Sequence, residues 1–310
     1  MIGIESIGFY IPDKRIDNNK RLQQFNVDRK FITDKTGMIN VSIKENDKET
    51  SDLCVLSYNN LCEHCDIESK NIDCIIVCTQ NPDDYGLPHT SAIVHGKLNL
   101  KDDCAAFDIS LGCSGYVYGL SIIQSFMEMN KYKNGILFTS DPYSKVIDPN
   151  DKNVALLFGD AATATLLGNN AKWTSGKYLF GTRGSEHKAI RVRKNDRKLE
   201  MNGRGVFSFS IRTVPENIKS MLRMNNILLD NIDCFVLHQG SRYIVNTIAD
   251  NLGVNRSKVL FSAEQYGNTV SSSIPLILSN LDPHINKVVI AGFGVGLSWG
   301  STVITRKLQD

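Results

Sequence analysis

The sequence predicts an α/β layered fold made of two similar halves, and three observations carry that expectation. Short apolar, β-rich runs alternate with amphipathic stretches along the chain, the pattern of strands interleaved with helices. The segment NIDCIIVCTQ at 71–80 is echoed by NIDCFVLHQG at 231–240, and the order of strand, helix, strand and glycine-marked turn that follows is shared. The length, 310 residues, exceeds what one hydrophobic core usually supports. The boundary is expected between Asn169 and Gly176, which gives halves of 1–170 and 171–310.

In the first half, strands are expected at Cys74 to Cys78, Ala105 to Ile109, Gly135 to Thr139 and Thr163 to Leu167, runs rich in apolar and β-branched residues. In the second they are expected at Phe235 to His238, Val259 to Ser262, Val288 to Ala291 and Ser301 to Thr305. Helices fall between them. The clearest is Ser114 to Met129, where Val117, Leu120, Ile123 and Met127 recur at helical spacing and form one apolar face. The stretch from Val288 to Thr305 carries no charge over 18 residues. Its glycines at 292, 294, 296 and 300 predict a buried strand, a tight turn and a second strand rather than a membrane span.

Composition narrows the function classes. With 35 Lys and Arg against 33 Asp and Glu, the formal charge is +2, too balanced to make a nucleic acid the main partner. Eight cysteines are scattered through apolar runs rather than paired, which points to a reducing compartment, and the N-terminus lacks an export signal. A cytoplasmic location is therefore expected. Cys62 and Cys65 have a metal-like CxxC spacing, but no second pair follows at a workable distance and the segment reads as helix, so no metal site is expected. GFGVG at 292–296 lacks a full dinucleotide fingerprint and runs into β-like sequence instead of a helix.

Three residues could carry chemistry. Cys113 lies in DISLGCSGYVYGL, where a strand ends, a glycine permits a turn and a long helix begins. The positive end of the helix dipole favours thiolate there, and a small buried cysteine fits the position equally well. His238 ends the second NIDC strand, and Asn268 sits in the YGNT turn before a helix, where structural roles are the plainer reading. If the halves are alike, Cys113, His238 and Asn268 face one cleft at the carboxyl ends of the strands. Together the last two would offer donors to one carbonyl oxygen and stabilise developing negative charge.

Ordered blocks extend this picture nearly end to end. GIESIGFYIP at 3–12, TGM at 36–38, the block around Cys113, DPNDKNVALLFGDAATA at 148–164, HQGS at 238–241, YGNT at 266–269 and GFGVGLSWGSTVI at 292–304 together resemble the thiolase-fold condensing enzymes. The resemblance is strongest to the β-ketoacyl-acyl carrier protein synthase III family. It implies a five-layer α-β-α-β-α sandwich of duplicated halves and a homodimer. It implies that Cys113 takes an acyl group from a thioester, and that His238 and Asn268 promote decarboxylation of a malonyl-type extender. The carbanion would then attack the acyl-cysteine in a Claisen condensation, with the backbone amides of Cys113 and Val295 as the oxyanion hole. No tightly bound cofactor is implied; the substrates are acyl-coenzyme A or acyl-carrier-protein thioesters, and an acyl carrier protein is a partner.

The resemblance also assigns Phe31, Lys35 and Lys152 to coenzyme A and Leu87, on a loop reaching the partner, to the acyl pocket. Departures from the family pattern are Val295 in place of a glycine, Gly240 and Ser241 in place of Ala-Asn, lysines at 35 and 152 in place of arginines, and Phe31 in place of a tryptophan. They suggest retained chemistry with altered donor recognition, and a specialised biosynthetic role. The basic segment from Arg183 to Arg204 reads either as a solvated hairpin or as a contact for an acidic carrier. Two other functions stay open: acyl transfer to an oxygen or nitrogen nucleophile, and a non-catalytic carrier-binding subunit.

Overall fold

A computed structural model describes residues 2–307. The first half is a five-stranded sheet built from β1 (Gly3–Tyr10), β2 (Cys74–Cys78), β3 (Ala105–Ile109), β4 (Gly135–Ser140) and β5 (Ala162–Gly168). Their spatial order is β3-β2-β4-β5-β1. β2 pairs in parallel with β3 and β4, whereas β5 pairs antiparallel with β4 and β1. Helices α1 (Thr50–His64) and α2 (Thr90–Lys97) cover the outer face, and α3 (Gly115–Asn130) covers the inner one.

The second half repeats the plan with β6 (Trp173–Ser175), β7 (Leu179–Thr182), β8 (Cys234–Leu237), β9 (Lys287–Gly294) and β10 (Ser298–Arg306). β8 and β9 are parallel, β10 is antiparallel to β9, and β6 and β7 pair antiparallel with β10. Val259 adds a single parallel bridge to Phe235 on the outer side of β8. Counting that bridge as a position, both halves run third, second, fourth, fifth, first, with the same strand polarities. The expected strand at Val259 to Ser262 is therefore reduced to one bridge: a 3-10 turn over Arg256–Lys258 leads into it and another over Ala263–Gln265 follows, too little extended chain for a ladder. One pairing, Ile4 with Trp173, joins the two sheets.

Helices α4 (Gly203–Met224) and α5 (Arg242–Leu252) cover the second sheet's outer face, while α3 and the short α6 (Ser273–Leu278) lie between the sheets. The result is the expected α-β-α-β-α sandwich. Strand alternation decides which residues go where. Cys74, Ile76 and Cys78 point to the central layer and meet Val117, Leu120, Ile123 and Met127 of α3, whereas Ile75 and Val77 point outward to Cys54, Tyr58 and Leu61 of α1. In β9, Val288 and Ile290 face inward and Val289 and Ala291 outward. Each fully buried aliphatic side chain of the α3 stripe contributes about 1.5–3 kcal/mol by leaving water. The uncharged run from Val288 to Thr305 forms the β9–β10 hairpin. Among the described residues no helix is long and apolar enough to cross a membrane.

Candidate active site

The carboxyl ends of the parallel strands converge where the halves meet, so β2, β4, β8 and the turns after β3 and β9 deliver the candidate residues to one place. Cys113 sits in the turn before α3, 5% exposed. The β9–β10 hairpin presses against it from the other half. A Cβ at Gly292 would lie 2.7 Å from the Cys113 carbonyl oxygen, and one at Gly294 would lie 2.8 Å from both Cβ and Sγ of Cys113. This close approach brings the Val295 amide near the sulfur, where it and the amide of Cys113 itself favour the charged form. Val295 keeps an ordinary negative φ, so the side chain at this turn is accommodated.

The thiol is not held as thiolate. Burial pushes the Cys113 pKa up to about 12, the nearby Asp141 carboxylate adds to the rise, and the two amides only partly offset it. The expected ionisation by the helix end is thus overridden: desolvation of the charged form outweighs the dipole when the sulfur is shut away from water. Ionisation therefore needs a base.

His238 lies directly after β8 and is buried, its ring edge-on to Phe293 at 5.5 Å. Burial pushes its pKa down to about 3, so the imidazole is neutral. Nδ1 lies 2.9 Å from Ser273 Oγ, which also lies 2.9 Å from the Val270 carbonyl oxygen. The hydroxyl satisfies either tautomer: donating to Val270 O, it accepts from Nδ1–H and leaves a lone pair at Nε2; donating to Nδ1, it places the proton at Nε2.

Asn268 is fixed from three directions. Its backbone bridges the Leu157–Gly159 segment, with N–H donating to Leu157 O at 2.7 Å and C=O accepting from Gly159 N–H at 3.0 Å. Its Oδ1 accepts from the Val270 amide at 2.9 Å, leaving Nδ2 to approach His238 Nε2 at 3.4 Å. The carboxamide thus orders its own turn and presents two N–H groups to the pocket rather than capping a helix.

Cys113, His238 and Asn268 line one pocket of about 290 Å³ with mainly apolar walls. Of the expected coenzyme contacts, Phe31 and Lys35 line it, with the Lys35 ammonium 3.7 Å from the Tyr243 ring, which stacks on Phe207 at 5.2 Å. Lys152 is exposed on a short helical turn outside the pocket wall, and Leu87 is 87% exposed on a separate loop. The basic segment forms a hairpin of Ile190–Val192 with Leu199–Met201. Arg183, Arg191 and Arg193 pair there with Glu186, Glu200 and Asp196, while the segment's other lysines and arginines leave it net basic. Ser241 is an N-cap: its Oγ accepts from Ile244 N–H at 3.2 Å, which gives the serine a structural use.

Sequence reasoning missed Asp141, Ser273, Phe207 and Tyr243. A carboxylate directly after the buried strand GILFTS, and the run of three serines after YGNTV, were the available signals for the first two. The aromatic pair depends on α4 and α5 meeting, which no local pattern records.

Comparisons with known proteins agree with this geometry. The family described as 3-oxoacyl-[acyl-carrier-protein] synthase III matches residues 107–184, and its C-terminal counterpart matches residues 222–306. The chain is 34% identical to a β-ketoacyl-[acyl-carrier-protein] synthase III of Lactobacillus helveticus over 313 aligned positions, covering 94% of this chain and 95% of that protein. A crystal structure of a 3-oxoacyl-(acyl-carrier-protein) synthase III superposes with a TM-score of 0.91 at 30% identity, over 98% of this chain and 99% of the other. A Thermus thermophilus β-ketoacyl-[acyl-carrier-protein] synthase III superposes with a TM-score of 0.90 at 27% identity over the same shares. Matching blocks, duplicated thiolase-type architecture and near-complete coverage lead to one conclusion: the chain belongs to the β-ketoacyl-[acyl-carrier-protein] synthase III family.

Proposed function

We propose that the protein is an acyltransferase of the condensing type, which loads an acyl group on Cys113 and elongates it by decarboxylative Claisen condensation with a malonyl-type thioester. The carrying observation is that the thiol, with two amides beside its sulfur, shares one pocket with a neutral imidazole and a fixed carboxamide. In the first half-reaction, His238 Nε2 takes the Cys113 proton as Sγ attacks the donor thioester carbonyl. The Cys113 and Val295 amides hold the oxyanion, the donor C–S bond breaks, and the leaving thiolate recovers the proton. In the second, Asn268 Nδ2–H and His238 Nε2–H donate to the extender thioester oxygen while its carboxylate leaves as carbon dioxide. The resulting carbanion attacks the acyl-cysteine carbonyl, and Cys113 departs as thiolate and takes a proton from solvent to restore the resting thiol. No tightly bound cofactor takes part.

The family membership supports acyl-coenzyme A or acyl-carrier-protein thioesters as substrates and an acyl carrier protein as partner. Phe31 and Lys35 at the pocket mouth suit the donor's arm, and exposed Lys152 suits a phosphate near that mouth. A homodimer would bury the exposed Tyr85 and Leu87 and place Leu87 in the partner's acyl pocket. The repeated strand order supports functional halves of 1–170 and 171–310, the first bringing the nucleophile and the second the histidine and asparagine. Eight free thiols support a cytoplasmic setting. The lysine rather than guanidinium at 35, already engaged by Tyr243, supports altered donor recognition and a specialised pathway.

Intact-protein mass spectrometry with acyl-thioesters tests the reading. A stable acyl adduct that disappears in Cys113→Ala, followed by carbon dioxide release on adding malonyl-thioester, is expected. Adduct formation that ends in heteroatom transfer without carbon dioxide would replace condensation with simple acyl transfer, and no adduct with any donor would overturn both.

A further inference from the structure

We propose that Asp141 is a positioning residue for the decarboxylating half-reaction: a buried carboxylate that ties the Asn268–Ser273 turn to the first half. The inference rests on the reading of Cys113, His238 and Asn268 given above.

Asp141 follows β4 and is fully buried. Its Oδ1 accepts from the Gln80 amide at 2.7 Å and its Oδ2 from the Ser271 hydroxyl at 2.6 Å, with the Ser271 amide and the Thr79 hydroxyl as further donors. These donors are all neutral. Among the described residues, the titratable groups that feel its charge include the Cys113 and Cys78 thiols and the Tyr143 phenol. A buried carboxylate supported only by neutral donors is expensive to keep ionised, and burial raises its pKa to about 6. At neutral pH it is nevertheless charged, and both of its effects fall on the site.

The first effect is mechanical. Ser271, Ser272 and Ser273 are consecutive, and each hydroxyl has a separate task. Ser271 bonds Asp141, Ser272 bonds the Thr139 carbonyl at 3.1 Å, and Ser273 holds His238. The same turn carries Asn268, held by Val270, whose φ of +54° places a β-branched residue in the left-handed region. Such a conformation persists only where surrounding contacts impose it. Asp141 and Thr139 supply those contacts from the opposite half, and the Asp141 bond is the charge-assisted one of the two. The second effect is electrostatic: a negative charge beside Cys113 disfavours the thiolate, the form that oxidants attack, until His238 takes the proton.

The test compares the full-length protein with Asp141→Asn, Ser271→Ala and the double variant. Acylation of Cys113 and carbon dioxide release from malonyl-thioester are measured separately, together with iodoacetamide alkylation of Cys113 across pH. Each single variant should lose roughly ten- to a hundredfold in decarboxylation, the range for a hydrogen bond to a charged group, because that step draws on both Asn268 and His238, and should lose less in acylation, which draws on His238 alone. The double variant should be no worse than the worse single, because both break one bond. Asp141→Asn should shift the alkylation profile to lower pH, whereas Ser271→Ala, which keeps the charge, should not; simple loosening of the fold would not separate the two. Decarboxylation unchanged in Asp141→Asn, multiplicative losses in the double, or an unmoved alkylation profile would each overturn the proposal. If Asp141→Asn does not fold, Ser271→Ala decides: selective loss of decarboxylation supports the proposal and unchanged decarboxylation overturns it. Should wild type take no acyl group, the reading of the site fails while the alkylation comparison still judges Asp141.

Discussion

Replacing Gly294 by alanine should disable Cys113 without replacing any side chain assigned to the chemistry. The added Cβ would lie 2.8 Å from both Cβ and Sγ of Cys113. Carbon atoms settle at about 3.5–4.0 Å, so the overlap is about 0.7–1.2 Å. Cys113 has little freedom to retreat, because its carbonyl oxygen already abuts Gly292 and α3 begins two residues later. The hairpin must therefore shift away, carrying the Val295 amide off the sulfur. Overpacking of this kind costs about 1–3 kcal/mol, enough to lower the melting temperature by several degrees. Misplacing the oxyanion donor by about 1 Å should lower the acylation rate roughly a hundredfold. Time-resolved intact-mass measurement of acyl-Cys113 reads the rate, and differential scanning calorimetry reads the stability. A variant that acylates within about threefold of wild type at an unchanged melting temperature would refute the packing argument.

Two further outcomes follow from the same geometry. His238 has its pKa lowered from 6.5 to about 3, so the folded protein keeps it neutral while the unfolded chain binds a proton below pH 6.5. Its contribution is complete above that pH and declines by about 1.4 kcal/mol per unit as pH falls toward 3. Asp141, raised from 3.8 to about 6, acts in the opposite sense between those values. Urea unfolding of His238→Ala and wild type from pH 7 to 4 should show the variant gaining on wild type by that slope; parallel curves would place the imidazole in water. Ser241→Ala should lose the N-cap of α5, about 1 kcal/mol of stability by the same method, and leave acylation unchanged. A fall in acylation instead would move Ser241 into the site.

The legible parts of the fold were those with clean local signals. β2 and β3 fall at the expected residues because CIIVC and AAFDI are bounded runs, and the α3 stripe reads directly as the face packed between the sheets. β1 escaped notice because a register shift between Ile4 and Ser6 breaks its alternation and Glu5 interrupts its apolar run. Cys113, His238 and Asn268 were legible because each closes a strand or opens a turn within a recognisable block. The protonation of Cys113 was not, since burial is a property of the assembled layers rather than of the helix that follows it. Asp141 carries no motif, and its partners come from residues 79, 80 and 271, separated by up to 130 positions.

The proposed reacting groups and the mouth of their pocket hang on different parts of the molecule. Cys113, His238 and Asn268 are clamped at the seam by strand ends and the serine run, while Phe31, Lys35, Phe207 and Tyr243 ride on peripheral helices and loops. Evolution can therefore redraw what the doorway admits while the workshop behind it stays untouched, and an engineer can do the same. Exchanging the residues around positions 31–35, 203–207 and 243 is a graft onto the rim, whereas any change along the seam disturbs two halves at once.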